Sequence, residues 1–136
     1  MPGPSAPTAD DLATVPLLSG LARPVLAALA ERFEVEEHAG GAPVVTEGRA
    51  GYAFYVIAEG LAAVLHDGRH MRELGPGDFF GEIAIMGGGR RTATVVAATP
   101  LVVWVLFGTV FRTLQTTDPE VAEALQTAMT ERLASD

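Results

Sequence analysis

The stretch that decides the fold is FYVIAEGLAAVLHDGRHMREL, residues 54–74. It consists of short runs rich in apolar and aromatic residues, interrupted at Gly60 and at Asp67-Gly68. Runs of this length between turn-forming residues are typical of β-strands. We therefore predict strands over 54–59, 61–66 and 70–74. Asp67-Gly68 is expected to form the two-residue turn of a hairpin between the last two.

The same pattern continues on both sides of this stretch. Further strands are predicted at 33–37, 44–47, 78–80, 92–98 and 101–107, which makes about eight short strands at close spacing. No alternation of strands with helices supports a parallel sheet, so the fold class is mainly β, a sandwich or barrel.

Helical patterns flank the strands at both ends. A short helix is expected after Asp10-Asp11, broken at Pro16, and a second helix with Pro24 in its first turn. Two C-terminal helices are predicted over about 108–134, with Thr117 or Asp118 as the N-cap of the second one. An apolar stripe at four-residue spacing follows in that helix: Val121, Leu125, Met129 and Leu133.

Composition narrows the function classes. The chain has 136 residues, 49% of them hydrophobic, a mean hydropathy of +0.28, no cysteine and a formal charge of −8. These values predict one globular domain over 11–136 after a flexible arm of residues 1–10. The missing cysteines exclude a disulfide framework and a thiolate metal site. The negative charge argues against nucleic acid or an anionic membrane as a partner. We expect a soluble, cytoplasmic protein.

The segment FGEIAIMGGGRRTATV, residues 80–95, carries the chemistry. A short helix-capable piece at 82–86 offers backbone N–H groups to an anion, and a guanidinium can hold two phosphate oxygens. Glu82 would repel an anion unless it met a hydroxyl group. The segment carries a charge of +1 (Glu82 against Arg90 and Arg91), while the rest of the chain carries −9. The segment would therefore fit a ligand that presents an anionic group close to a diol. A ribose phosphate is such a ligand.

This segment resembles the phosphate-binding cassette of cyclic nucleotide-binding domains, the family of catabolite activator protein and protein kinase A regulatory subunits. Further upstream, Glu47-Gly48, residues 54–60 and residues 74–79 match the family as well, so the resemblance covers about 12–133. The resemblance implies an eight-stranded, jelly-roll-type β-roll flanked by helices. The cassette residues that carry it are Phe80, Gly81, Glu82, Ile83, Ala84, Arg91, Ala93, Thr94 and Val95.

The resemblance also implies roles for single residues. Arg91, Thr92 and Ala84 would hold the cyclic phosphate. Gly81, Glu82 and Ile83 would hold the ribose, with the Glu82 carboxylate accepting from the 2′-hydroxyl. Met129 and Leu133 would close over the base. The family's usual proline before the arginine is replaced by Arg90. Thr92 favours a guanine ligand in eukaryotic members but occurs with adenine ligands in bacterial ones, so it does not decide the base. Because the composition looks bacterial, we expect cAMP, with cGMP as the alternative.

Structural alternatives stand beside these functional ones. Glu82 and Arg91 could form a plain ion pair across a loop, Arg90 could be a solvated charge, and Gly87-Gly88-Gly89 could be only a flexible loop. His66 and His70, with Glu73, suggest a metal site, but the expected hairpin points the two histidines to opposite faces. The stripe of the last helix could pack on the roll, cover the base or pair two subunits.

The resulting hypothesis is a cyclic nucleotide-sensing module that catalyses no reaction and signals through its last helix. No nucleophile constellation is present. The 29 residues after Phe107 are too few for a DNA-binding, kinase or channel unit, so we expect an effector domain or partner protein elsewhere. A homodimer through the C-terminal helix is a further expectation. The rival hypotheses are a small cupin-like β-barrel enzyme and a degenerate interaction module without a ligand.

Overall fold

The computed structural model describes residues 4–45, 53–86 and 93–135. Within them the chain forms eight strands, and all strand pairs are antiparallel. The mainly β fold with flanking helices is therefore confirmed. The strands are β1 (Glu34–His38), β2 (Pro43–Val45), β3 (Ala53–Glu59), β4 (Ala62–His66), β5 (Arg69–Leu74), β6 (Phe79–Phe80), β7 (Thr94–Ala97) and β8 (Leu101–Phe107).

The strands form two four-stranded sheets. We call the sheet ordered β1-β8-β3-β6 the inner sheet and the sheet ordered β2-β7-β4-β5 the outer sheet. Consecutive strands often lie in different sheets, so the chain crosses repeatedly between them. This arrangement is the jelly-roll type that the resemblance implies.

The predicted hairpin between β4 and β5 is confirmed. Asp67 and Gly68 both have positive φ, 51° and 76°, as a type I′ turn requires. Leu65 pairs with His70, and His66 pairs with Arg69. Because these are neighbouring rungs of the ladder, the two histidine side chains point to opposite faces of the sheet, as predicted.

In the described ranges, five helices accompany the sheets: α1 (Ala9–Ala13), α2 (Arg23–Ala30), α3 (Ile83–Met86), α4 (Gly108–Thr117) and α5 (Pro119–Ser135). Helix α1 begins inside the predicted N-terminal arm, because Thr8 and Asp11 form a reciprocal capping box around its first turn. Thr117 is not an N-cap: it lies in α4, where its hydroxyl donates to the Thr113 carbonyl at 3.0 Å. None of the helices in the described part of the chain is both long and apolar enough to cross a membrane.

Two apolar cores lie on opposite faces of the inner sheet. Alternate side chains of β3 supply both: Phe54 and Val56 face α1, α2, α4 and α5, whereas Tyr55 and Ile57 face the outer sheet. The inner sheet is thus buried between the helices and the outer sheet. This burial explains why β3 shows a continuous apolar run rather than a polar alternation.

Candidate functional site

A cavity of about 290 Å³ lies on the inner face of the outer sheet, beside the segment that follows β6 and below the C-terminal end of α5. Strands β2, β4, β5, β6 and β7 contribute its walls. Its lining residues are Val45, Val64, Arg72, Leu74, Asp78, Phe79, Phe80, Gly81, Glu82, Ala93, Val95, Arg132 and Leu133. The cavity therefore brings Gly81 and Glu82 of the predicted cassette together with Leu133 of α5.

Local geometry fixes how the cassette leaves β6. The Phe80 ring stacks on Tyr55 of β3 with ring centroids 4.7 Å apart. Gly81 follows with φ +79°, a left-handed conformation that favours glycine. The carbonyl of Glu82 then accepts hydrogen bonds from the Ile85 and Met86 amides, both at 2.9 Å. Ile85 is fully buried in the core beneath the helices and so anchors α3 to that core.

Glu82 is the uncommitted carboxylate of the cavity. Its side chain is half-buried, and no hydrogen bond or ion pair joins that carboxylate to another residue in the described ranges. Asp78, the other acidic residue in the lining, accepts from the Gly75 amide at 2.8 Å and so closes the turn before β6. A half-buried carboxylate to which no described residue donates is a suitable acceptor for a ligand hydroxyl.

The predicted phosphate ligands Arg91 and Thr92 lie outside the described residues, as do Arg90, Gly87-Gly88-Gly89 and Glu47-Gly48. Their roles stay predictions. Ala93 and Val95, which follow them in the sequence, both line the cavity.

Two further cassette residues lie in α3. Ala84 packs against the core beneath the helices, and its amide donates to the Gly81 carbonyl at 3.1 Å. Its predicted contact with phosphate would therefore have to share an amide that already closes a turn. Ile83 is the first residue of α3, in agreement with its place in the predicted helix.

The two residues of α5 that were predicted to contact the base, Met129 and Leu133, lie in different environments. Leu133 lines the cavity and is 40% exposed, whereas Met129 is completely buried in the core between the helices. Met129 thus lies away from the described cavity lining, and its contact with the base stays a prediction. Each four-residue step on a helix turns the side chain by about 40° beyond one full rotation, so a stripe at this spacing drifts around the helix. After Val121, Leu125 and Met129, this drift takes Leu133 out of the core.

Sequence reasoning overlooked Arg72 and Arg132, which line the cavity from β5 and α5. Arg72 pairs with Val64 across the sheet and stands two residues before the buried Leu74. Side chains two apart on a strand share a face, so the alternation counted back from Leu74 could have placed Arg72 toward the cavity. Its guanidinium supplies hydrogen-bond donors and no acceptor.

Comparison with known proteins gives the same family as the resemblance. Residues 35–118 match the family described as cyclic nucleotide-binding domain. The chain is 34% identical over 121 residues to a cyclic nucleotide-gated potassium channel of Rhizobium etli. It is 36% identical over 107 residues to a cAMP-dependent protein kinase regulatory subunit of Colletotrichum orbiculare.

These two alignments cover 89% and 77% of this chain, but only 34% and 27% of the relatives. The chain therefore spans about a third or less of their length. A crystal structure of the N-terminal domain of a transcriptional regulator from Streptomyces coelicolor matches with a TM-score of 0.78 and 30% identity. That match covers 93% of this chain and 94% of the other.

Proposed function

Because this chain belongs to the cyclic nucleotide-binding domain family, we propose that it is a regulatory module whose cavity holds one cyclic nucleotide. The observation that carries the proposal is the position of Glu82: its carboxylate lines the cavity directly after Gly81 and has no hydrogen-bond or ion-pair partner among the described residues. A cyclic nucleotide offers this carboxylate a ribose 2′-hydroxyl as a donor. Binding is the whole activity proposed, and no catalytic step is part of it.

Each part of the ligand has a proposed set of partners. Gly81, Glu82 and Ile83 hold the ribose. Arg91 forms the ion pair with the cyclic phosphate, supported by Thr92 and by the backbone of Ala84. The described lining contributes two arginines and two carboxylates, so Arg91 would tip the cavity toward an anion. Leu133 provides an apolar surface for the base.

The base is the finer part of the proposal. The bacterial-looking composition led us to expect cAMP, and the name of the kinase regulatory subunit among the relatives agrees with cAMP. Arg72 is the specific observation in favour of cGMP. Guanine presents two acceptors, O6 and N7, on one edge, whereas adenine presents a donor amino group beside N7. A guanidinium carries only donors, so Arg72 matches the guanine edge better.

Calorimetric titration of the purified protein with cAMP, cGMP and their 2′-deoxy analogues tests binding and base choice together. We expect saturable binding of one ligand per chain, and weaker binding of each 2′-deoxy analogue because Glu82 loses its donor. Arg72→Gln should weaken cGMP more than cAMP if this guanidinium contacts the base. Arg69→Gln on the same strand, outside the cavity lining, is the matched control. Binding of neither nucleotide would contradict the proposal and favour a degenerate interaction module.

We propose that α5 transmits the signal of ligand binding. The Gln126 side chain donates to the Ile85 carbonyl of α3 at 3.0 Å, and Leu133 of the same helix lines the cavity. A ligand in the cavity would therefore contact both the cassette and α5, the helix that is hydrogen-bonded to the cassette. A ligand that favours one position of α5 shifts the helix toward that position. The signal would pass to an effector domain or partner protein, in the cytoplasm as the sequence predicts.

Hydrogen exchange over residues 118–135 measures this response directly. We expect stronger amide protection in α5 when cyclic nucleotide saturates the protein, because the ligand adds contacts near Leu133. Strand β1 (residues 34–38), which contributes nothing to the cavity lining, serves as the internal reference. Equal protection of α5 with and without ligand would rule out transmission through this helix while leaving binding itself intact.

A further inference from the structure

A second cavity of about 740 Å³ lies on the far side of α5, between this helix and the segment 16–21 that joins α1 to α2. We call it the α5 groove. Leu17 and Leu21 of this segment and Ala124 and Ala128 of α5 form its floor. Leu17 is buried, and Leu21, Ala124 and Ala128 are half-buried, so the floor of the groove is apolar.

Three glutamates of α5 line the same groove: Glu120, Glu123 and Glu131. All three are exposed, and no ion pair joins them to another residue within the described ranges. Arg132 is the one basic residue among the lining residues that the structure describes, so three carboxylates stand against one guanidinium. The groove thus combines an apolar floor with a net negative edge.

We propose that the α5 groove binds an amphipathic, basic helix of a partner protein. The groove follows α5 from Glu120 to Glu131, which is about three helical turns or about 17 Å. The small side chains of Ala124 and Ala128 allow a second helix axis to approach to about 8 Å. A helix satisfies its own backbone hydrogen bonds, whereas an extended peptide would need a strand edge, and the groove is lined by a helix and a connecting segment.

Charge decides between a partner and a second copy of this chain. A symmetric pair of α5 helices would place the carboxylates of one copy against those of the other, and like charges in such contacts are destabilising. A helix with lysine or arginine beside an apolar stripe would meet the same carboxylates with opposite charge. The groove therefore favours a basic partner over a homodimer through this face. This inference does not depend on binding of a cyclic nucleotide.

The test uses the whole chain and three synthetic peptides of about 18 residues. The first peptide has a leucine stripe at helical spacing flanked by lysines. The second has glutamates in place of the lysines, and the third is a scrambled version of the first with equal charge and no stripe. Fluorescence anisotropy at low salt should give a Kd of about 1–100 μM for the first peptide and at least about tenfold weaker binding for the other two. Equal binding of the scrambled peptide would overturn the proposal, because it would show attraction by charge alone.

Variants of the protein locate the binding site. Replacing Glu120, Glu123 and Glu131 together with glutamine should weaken the basic peptide about tenfold, since each exposed pair contributes about two- to fivefold. The control replaces three exposed glutamates of β1 and β5, namely Glu34, Glu37 and Glu73, and should leave the affinity unchanged within about twofold. If both triple variants lose the same affinity, the peptide is bound by net charge and the groove is not its site.

A steric variant separates the groove from its edge charges. Thr127 is exposed and lines the groove, so Thr127→Trp should fill it and weaken the basic peptide at least about tenfold, whereas Thr127→Val should not. Circular dichroism checks that both variants stay folded. Sedimentation velocity gives the competing outcome: a dimer of the unmodified chain that Thr127→Trp dissociates would overturn the proposal in favour of a second copy.

Discussion

The inner and outer sheets contain the same number of strands, yet they differ in how deeply their residues are buried. In the inner sheet, the first five residues of β3 are buried, and β8 alternates between buried and half-buried positions. In the outer sheet, five of the six residues of β5 are exposed and only Leu74 is buried. The inner sheet lies between two apolar cores, whereas the outer sheet packs on one core and contributes one wall of the cavity that we propose holds the ligand.

The difference shows how stability and binding are separated in this fold. Burial of apolar surface is the main source of folding free energy, so a sheet covered on both faces contributes most of it. A sheet covered on one face can replace side chains at its open positions with little cost. Arg72 shares the covered face of β5 with Leu74, but β5 is an edge strand and Arg72 is exposed, so its side chain reaches the cavity outside the core. Substitutions in the core of the inner sheet should therefore lower stability, whereas substitutions at exposed positions of the outer sheet should change binding and leave stability largely intact.

The largest expected effect on stability is at Phe54 in the inner sheet. Its side chain is completely buried between the helices and packs near Phe33 and Phe79. Phe54→Ala should lower the free energy of unfolding by about 3–5 kcal/mol, because it removes buried surface and leaves a cavity. Met71→Ala on β5, where the side chain is 61% exposed, should stay within about 0.5 kcal/mol. Urea unfolding measures the free energy of unfolding of both variants. Similar losses in the two would contradict the claim that the inner sheet contributes most of the stability.

The next prediction concerns affinity. Arg91→Ala should weaken cyclic nucleotide binding about thirty-fold to several thousand-fold, since removing one partner of a buried charge pair costs about 2–5 kcal/mol. Glu82→Ala should cost less, about 1.5–3 kcal/mol, and its effect should shrink for a 2′-deoxy ligand. Arg90→Ala, as a solvated neighbour, should change affinity by less than about fivefold.

Calorimetry measures this ranking, and urea unfolding of the same variants provides the control. Affinity should fall while the unfolding midpoint stays close to that of the unmodified chain. If Arg90→Ala weakens binding more than Arg91→Ala, the phosphate ligand has been assigned one residue too late.

A third prediction concerns the junction between the sheets at Gly60, between β3 and β4. Gly60 has φ +91°, and a Cβ added there would come within 2.2 Å of the Pro100 carbonyl oxygen. Gly68 also has positive φ, +76°, but open space around it. Both alanine variants incur a backbone cost of about 1–2 kcal/mol, and the clash should add about 1–3 kcal/mol at Gly60 alone. Equal losses in thermal unfolding would show that backbone strain, not close approach of the strands, requires glycine here.

The smallest effect is expected at the contact between α5 and the cassette. Gln126→Ala removes the hydrogen bond to the Ile85 carbonyl and should cost about 0.5–1.5 kcal/mol of stability. Gln115→Ala on the exposed face of α4 is the control and should be neutral. The functional measurement is hydrogen exchange of α5 with saturating cyclic nucleotide. A ligand response that is undiminished in Gln126→Ala would show that α5 is coupled to the cavity through other contacts, such as Leu133.

Local patterns in the sequence predicted most of the elements correctly. The Asp67-Gly68 turn and the apolar runs around it are signals that act over a few residues, because turn conformation and side-chain alternation depend on the nearest neighbours. The cassette was likewise recognisable from residues 80–95. The position of Thr117 was misassigned because α4 continues to that residue and its hydroxyl bonds back to Thr113.

Other properties required the tertiary structure, because they depend on segments far apart in the chain. The pairings of β8 with β1 and β3 join residues far apart in the chain, and packing of the helices against that sheet decides which face of β3 they cover. Met129 and Leu133 share one stripe in the sequence, but packing buries the former and leaves the latter at the cavity. Nothing in the local sequence distinguishes Arg72 from other exposed strand residues. Its role in the cavity lining follows only from the position of β5 near the end of α5. Sequence alone thus determined the strands, the hairpin turn and the family, while long-range packing decided which side chains line the proposed ligand cavity and the α5 groove.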